Sequence, residues 1–236
     1  IITGGSRGIG NEISNTLIRN KYFVINISKN KKNFKKNKFL KNYECDVSDH
    51  LQVENTFKKI LRENGSIYAL INNAGINPSR NIIGETSFND FDKTLKTNVY
   101  GAFNCTKFFI NKKNIKKSQV IINISSIVSM AAHEKRGSYS ISKSALNGLT
   151  RSVVADYSKL NLRCFSICPG YIQTDLTKNF LKNLDKKSMS NLLKAHKLGR
   201  LGKSIDIANL VVFLLDEKKS SWMTGNIIPV DGGYLS

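Results

Sequence analysis

The first ten residues limit what this chain can fold into more than any other stretch. Ile1-Ile2-Thr3-Gly4-Gly5-Ser6-Arg7-Gly8-Ile9-Gly10 reads as a strand end, a glycine turn and a helix start. Apolar residues at 9, 13, 17 and 18 carry a helical period onward. Glycines in such a turn let the backbone approach a pyrophosphate, and the helix N-terminus supplies N–H groups and a positive dipole. A lone glycine pattern says little, but one that follows a strand and opens a helix stands in the required context. The spacing Gly4-x-x-x-Gly8-x-Gly10 differs from the G-x-G-x-x-G of ordinary dinucleotide-binding folds.

The rest of the chain repeats that alternation. Apolar runs predict strands over 22–27, 42–47, 67–71, 120–124, 162–168 and 226–230. Helical periods cover 51–64 behind an Asp49 cap, 89–98 and on to 115, 139–160, and 205–215 behind a Ser204 cap. Alternation of this kind calls for an α/β fold, a single Rossmann-like doubly wound parallel sheet flanked by helices. With no internal repeat and no linker, residues 1–236 read as one dinucleotide-binding domain. The mixed, Lys-rich stretch 171–202 follows a strand's carboxyl end and is a candidate substrate lid.

Residues 126–143 carry the chemistry. They read S-I-V-S-M-A-A-H-E-K-R-G-S-Y-S-I-S-K. If Tyr139 opens a helix, Lys143 shares its face one turn on. A free phenol has a pKa of about 10, and a neighbouring ammonium is expected to lower it. Ser126, just past the 120–124 strand, can hold a hydroxyl beside the phenol. Such a set suits proton transfer to an oxygen whose carbon gains or loses a hydride. Tyr-x-x-x-Lys alone is common by chance, so its weight comes from its surroundings.

Other positions address the cofactor. Where an NAD-selecting Asp would end the second strand, the chain has Ser28 and Lys29, with Arg7 in the glycine turn. Cations and a hydroxyl suit a 2′-phosphate, so NADPH is expected over NADH. Residues 29–41 are strongly basic, with Phe34, Phe39 and Leu40 as apolar anchors, and most of these lysines read as a solvated face. Asp46 and Val47 would lie near the adenine. Asn73, Ala74 and Gly75, small residues at a strand's carboxyl end, fit where a ligand lies against a sheet. Asn98 interrupts a helical pattern, which leaves open a surface Asn or a kink whose exposed carbonyl binds a water.

Composition narrows the classes. A chain of 236 residues with 40% hydrophobic content is long enough for one well-filled core. It holds no run of ~18 uncharged apolar residues, so no spanning helix is expected. Cys45, Cys105, Cys164 and Cys168 match no zinc spacing and read as reduced, buried thiols of a cytoplasmic protein, with no metal. The chain opens inside a strand and without Met, so residues are expected to precede Ile1 and organellar targeting stays open. The net charge of +20 suits an acidic partner such as nucleic acid, an acyl carrier protein or a membrane surface. It also suits drift towards Lys, Asn and Ile. Basic residues are not interleaved with aromatics, which argues against nucleic acid.

Together these motifs resemble the classical short-chain dehydrogenase/reductase family over the whole chain. They are Thr3-Gly4-x-x-x-Gly8-x-Gly10, Asn72-Asn73-Ala74-Gly75, Asn98, Ser126, Tyr139-x-x-x-Lys143 and Pro169-Gly170, in that order. The thirteen-residue step from Ser126 to Tyr139 is usual in the family, and that spacing alone chooses Ser126 over Ser125. The resemblance implies Tyr139 as acid/base, with Lys143 lowering its pKa and binding the nicotinamide ribose. It implies Ser126 holding the substrate oxygen and Asn98 holding a water that links Lys143 to solvent. Gly4, Ser6, Arg7, Gly8, Ile9 and Gly10 would hold the cofactor's phosphates, while Pro169, Gly170, Ile172 and Thr174 would lie at its amide. The family's enoyl reductases put the lysine further from the tyrosine.

Within the family the chain looks most like 3-oxoacyl-[acyl-carrier-protein] reductases. This rests on Ser6 to Gly10, Thr174-Asp175-Leu176-Thr177, Gly199-Arg200-Leu201-Gly202 and the tail from Thr224-Gly225 to Asp231-Gly232-Gly233. A carbonyl or alcohol substrate, possible attachment to acyl carrier protein and a homotetramer follow as expectations. The loop His133-Glu134-Lys135-Arg136 departs from those reductases and admits a polar substrate such as a sugar derivative. A catalytically idle basic binding protein is the competing reading from another class.

Overall fold

The computed structural model describes residues 1–30, 37–110 and 118–236. Phe34 and the expected helical continuation to 115 lie outside them. Chain order runs β1 (Ile2–Thr3), α1 (Gly8–Arg19), β2 (Val24–Ser28), β3 (Leu40–Glu44), α2 (His50–Asn64) and β4 (Ala69–Asn72). It continues with α3 (Phe88–Leu95), α4 (Gly101–Phe109), β5 (Gln119–Ile124), α5 (Gly137–Tyr157) and β6 (Leu162–Pro169). Then come α6 (Asp175–Lys182), α7 (Lys186–Ala195), α8 (Ser204–Leu215), α9 (Glu217–Ser220) and β7 (Ile227–Val230).

The strands form one seven-stranded sheet in the order β3-β2-β1-β4-β5-β6-β7, and every pairing is parallel. The order reverses between β1 and β4, so a crevice opens at the carboxyl ends of those strands, where ligands bind in such sheets. Period-two alternation splits the core. Val120, Ile122 and Ile124 of β5 pack with Ile13, Leu17, Ile207 and Val211 of α1 and α8. Ile121 faces the other way, towards Val53, Phe57, Cys105 and Val153 of α2, α4 and α5. All four cysteines are free and buried, and burial pushes the Cys164 thiol up to about 12.

Several boundaries move for local reasons. Tyr139 is the third residue of its helix, which Gly137 opens. A Cβ at Gly137 would lie 2.1 Å from Ile83 Cδ1, the movable tip of an exposed side chain that rests over the helix start. The α-helix stops at Tyr157, short of 160, because a 3₁₀ turn over Ser158–Leu160 and left-handed Asn161 (φ 59°) turn the chain into β6. Ser204 lies inside α8, and the Asp206 carboxylate accepts from Lys203 N at 2.8 Å at that helix's start. Asp49 caps α2 as expected, accepting from Leu51 N and Gln52 N. Residues 171–202 contain α6 and α7, and an Ile172–Gly202 bridge brings the two ends of the segment together.

Candidate active site

The glycine turn is held from the neighbouring strand. Thr3 Oγ1 accepts from Asn73 N and Ala74 N, both at 3.0 Å, and Asn73 Nδ2 donates to the carbonyls of Thr3 (2.9 Å) and Gly4 (3.2 Å). Gly8 is left-handed (φ 53°), and a Cβ there would lie 3.6 Å from Thr174 Cβ, so Thr174 flanks the turn. A Cβ at Gly10 would lie 2.4 Å from the Gly4 carbonyl oxygen, which shows how closely α1 approaches the turn. Ile9 packs into the core, and Ser6 sits partly exposed in the turn. Arg7 is exposed at the N-cap, with no side-chain cap and no acidic residue in the first turn of α1. That helix end is therefore open to an anion.

The adenosine end is mixed. Ser28 is buried, and its Oγ has no hydrogen-bond partner among the described residues, as a hydroxyl kept for a ligand would be. Lys29 does not point freely at this spot: its Nζ lies 2.6 Å from Asp46 Oδ2. Asp46 Oδ1 accepts from Ser48 N and Ser48 Oγ, while Val47 is buried and its carbonyl accepts from Asn104. The open helix start, the close glycine approach and the orphaned Ser28 hydroxyl fit a dinucleotide. At the other end, Gly170 N donates to the Val230 carbonyl, and Pro169 pairs with Val230. The Ile172 side chain is buried in the core, and its carbonyl accepts from Thr177 Oγ1 at 2.6 Å.

The catalytic stretch is built on β5 and α5. Ser125 and Ser126 divide two tasks. The buried Ser125 Oγ donates to the Lys143 carbonyl at 2.9 Å and lies 3.1 Å from Ser129 Oγ, tying the strand end to the helix. The Ser126 hydroxyl instead stands beside the Tyr139 phenol and acts to lower its pKa. Lys143 Nζ is buried, donates to the Ile124 carbonyl at 2.7 Å and lies 5.6 Å from the Tyr139 ring centroid. Its ammonium and Asn98 Oδ1 both lie 3.4 Å from where a Cβ of Gly75 would stand.

Asn98 is not a surface residue. A π turn over Lys96–Tyr100 joins α3 to α4, with Gly101 N–H reaching back to the Lys96 carbonyl. Within it, the buried Asn98 accepts from Ile76 N (2.8 Å) and donates to the Ile76 carbonyl (2.9 Å) and Ser142 Oγ (3.0 Å).

One expectation fails. Burial pushes the Tyr139 phenol up to about 12, and the opposing influences are the Arg136 charge and the Ser126 hydrogen bond, not Lys143. Burial also pushes Lys143 down to about 8. One helical turn brings the two side chains together, but Lys143 spends its reach on the Ile124 carbonyl.

The substrate side gathers residues the sequence did not single out: Asn77, Arg80, Phe180, His196 and Tyr234. Tyr171 lies against Phe180 and Tyr234 (centroids 5.8 and 5.7 Å), and His133 stacks on Tyr234 at 5.7 Å. No spacing signals this wall, because its members come from four separate loops and helices.

The site's layout and the fold both have counterparts. A family model described as "Enoyl-(Acyl carrier protein) reductase" matches residues 4–235. The chain belongs to the short-chain dehydrogenase/reductase family. This member is 31% identical over 238 residues to human 3-oxoacyl-[acyl-carrier-protein] reductase, covering 98% of this chain and 95% of that one. Its fold superposes on ligand-free aldohexose dehydrogenase of Thermoplasma acidophilum with a TM-score of 0.91, 32% identity and coverage of 99% and 92%. It superposes on ElxO with NADP bound with a TM-score of 0.90, 30% identity and coverage of 99% and 97%. The protein is a short-chain NAD(P)-dependent oxidoreductase acting between alcohol and carbonyl.

Proposed function

We propose that this dehydrogenase/reductase uses NADPH to reduce a carbonyl to an alcohol, as 3-oxoacyl-[acyl-carrier-protein] reductases do. The observation that carries the reading is Ser126, just past β5, set beside Tyr139 of α5, with the Lys143 ammonium 5.6 Å from the Tyr139 ring centroid. A bound nicotinamide would supply the hydride to the carbonyl carbon. Ser126 O–H donates to the carbonyl oxygen and fixes it. Tyr139 O–H gives that oxygen its proton, and a phenol held well above neutrality is protonated and ready to do so. Lys143 lies deep beside the ring, and Asn98, in its π turn, would hold the water that returns a proton towards it. The glycine turn and α1 would bind the pyrophosphate, Asn73 to Gly75 the adjoining ribose, and Asp46 with Val47 the adenine. Arg7 and Ser28 would meet a 2′-phosphate, and the similarity to an NADP-bound structure supports that choice.

The acyl-carrier reading rests on the human relative and on Lys143 standing four residues after Tyr139. It would place the enzyme in fatty-acid synthesis. A second reading, a sugar or another polar small molecule, is favoured by the charged loop 133–136 and by the similarity to an aldohexose dehydrogenase. NADPH oxidation measured with 3-oxoacyl thioesters, simple ketones and aldohexoses separates the two. Tyr139→Phe keeps the ring and should lower turnover by ~10²–10⁴-fold while leaving NADPH binding in place. Near-normal turnover in that variant would remove Tyr139 from the chemistry. Failure of the wild type on every carbonyl would favour an idle binding protein.

A further inference from the structure

Two arginines meet over one ring at the mouth of this site. The Arg80 guanidinium lies 3.5 Å from the Phe180 centroid, and that of Arg136 lies 5.6 Å from it. Both residues are partly buried. Neither forms an ion pair with a carboxylate among the described residues. Arg136 Nη1 donates to the Asn77 side-chain oxygen at 2.6 Å, and the Asn77 amide nitrogen donates to the Ser79 carbonyl at 3.1 Å. A neutral partner thus orients one guanidinium and a ring face orients the other. Most of their N–H donors remain unused.

Like charges placed together in a partly buried site repel. Burial and the Arg136 charge push Arg80 down to about 10, so Arg80 remains charged at neutral pH. On a surface, such a pair would swing apart into water. Here the stacking on Phe180 and the Asn77 bond hold it in place. The pair is also close to the chemistry: Arg136 precedes Tyr139 by three residues, and its charge acts on the phenol.

We propose that Arg80 and Arg136 bind an anionic group on the substrate, a carboxylate or a phosphate, a short way from the reacting carbonyl. This rests on the carbonyl-reductase reading and narrows its substrate class. Paired planar forks match the geometry of either oxyanion. An uncharged sugar or an unmodified ketone leaves the two charges facing each other.

The test compares charged and neutral members of matched pairs. Straight-chain oxo acids with the carboxylate two to six carbons from the ketone are assayed against their methyl esters, and dihydroxyacetone phosphate against dihydroxyacetone. At least one charged series should exceed its neutral partners roughly tenfold or more in kcat/KM, and which series does so separates carboxylate from phosphate. Arg80→Gln and Arg136→Gln should each lower that charged-to-neutral ratio severalfold, and Arg80→Lys should keep part of it. Calorimetry on Tyr139→Phe loaded with NADPH should show the same ranking in binding without turnover. Equal kcat/KM and equal binding for charged and neutral members would overturn the proposal and leave a carbonyl reductase. A ratio unchanged in both Gln variants would also overturn it. Wild-type turnover in Tyr139→Phe would instead fail the reductase reading, and this inference with it.

Discussion

The adjacent serines give the sharpest test of the site. Ser125 is 2% exposed, and its hydroxyl contacts the Lys143 carbonyl and Ser129 Oγ. Ser125→Ala removes about one net hydrogen bond's worth of stability, ~1–2 kcal/mol. In a chain of this length that is a fall in Tm of roughly 2–8 °C. Ser126 has less to lose: its only backbone donor, Val128 N, stands at 3.4 Å. Ser126→Ala should change stability by less than ~0.5 kcal/mol. Its loss falls on the reaction, because it stands beside Tyr139 and would hold the substrate oxygen. Removing such a donor typically costs ~10²–10³-fold in turnover. Urea unfolding and kcat/KM on both variants give a two-by-two outcome: Ser125→Ala less stable and moderately active, Ser126→Ala stable and nearly inactive. The reverse pattern would refute the division of tasks, and equal behaviour would show that the Ser126–Tyr139 pair has no catalytic weight.

Further outcomes follow from the electrostatics and the surface. Lys143 titrates near 8 folded and near 10.5 unfolded, so between those values the unfolded chain binds more protons and stability rises with pH, by up to about 3 kcal/mol. Urea midpoints at pH 7.5 and 9.5 should show that rise in the wild type and a flatter response in Lys143→Met; parallel responses would mean that the ammonium is solvated. Because Asp46 holds Lys29, the preference for NADPH over NADH should be only about tenfold at low salt, shrinking as salt rises. Ser28→Asp should invert it, and an unchanged kcat/KM ratio would count against Ser28 as a phosphate contact. Tyr100 and Phe103 are half exposed on a groove shared with Phe108, Leu146 and Leu149, which suits the expected tetramer, so Phe103→Asp should shift sedimentation towards a species of ~26 kDa. Phe109 of the same helix is buried in the core and cannot contribute, and a wild type that already sediments as a monomer would end the tetramer expectation.

The fold was legible because its determinants are local and periodic. Val120, Ile122 and Ile124 show period two, the apolar residues of α1 and α2 show the helical period, and Asp49 announces a cap. Errors came at helix termini. α5 opens at Gly137, two residues before Tyr139, and it ends where Asn161 turns left-handed into β6. Residues 171–202 resisted reading because α6 and α7 are short, 8 and 10 residues, and contain no fully buried residue to anchor them in the core.

The site was legible in the residues that act through spacing and obscure in those that act through direction. Four residues of helix fix that Tyr139 and Lys143 are neighbours. They do not fix where an ammonium on a four-carbon stem points, and the Ile124 carbonyl, supplied by the end of β5, is what captures it. Burial then dominates, so the phenol rises where spacing alone predicts a fall. The Ser125–Ser126 choice turns on the same distinction. Successive residues leaving a strand point opposite ways, so one hydroxyl meets the back of α5 at Lys143 O and the other meets its catalytic face at Tyr139. Arg80 and Phe180 stand a hundred residues apart in the chain, and only the closing of 171–202 over the loop after β4 makes them a pair. Machinery shared by a family lies on β5 and α5, which the fold itself aligns. Whatever selects this enzyme's own substrate lies where separate loops converge, and for that reason it must be read from contacts.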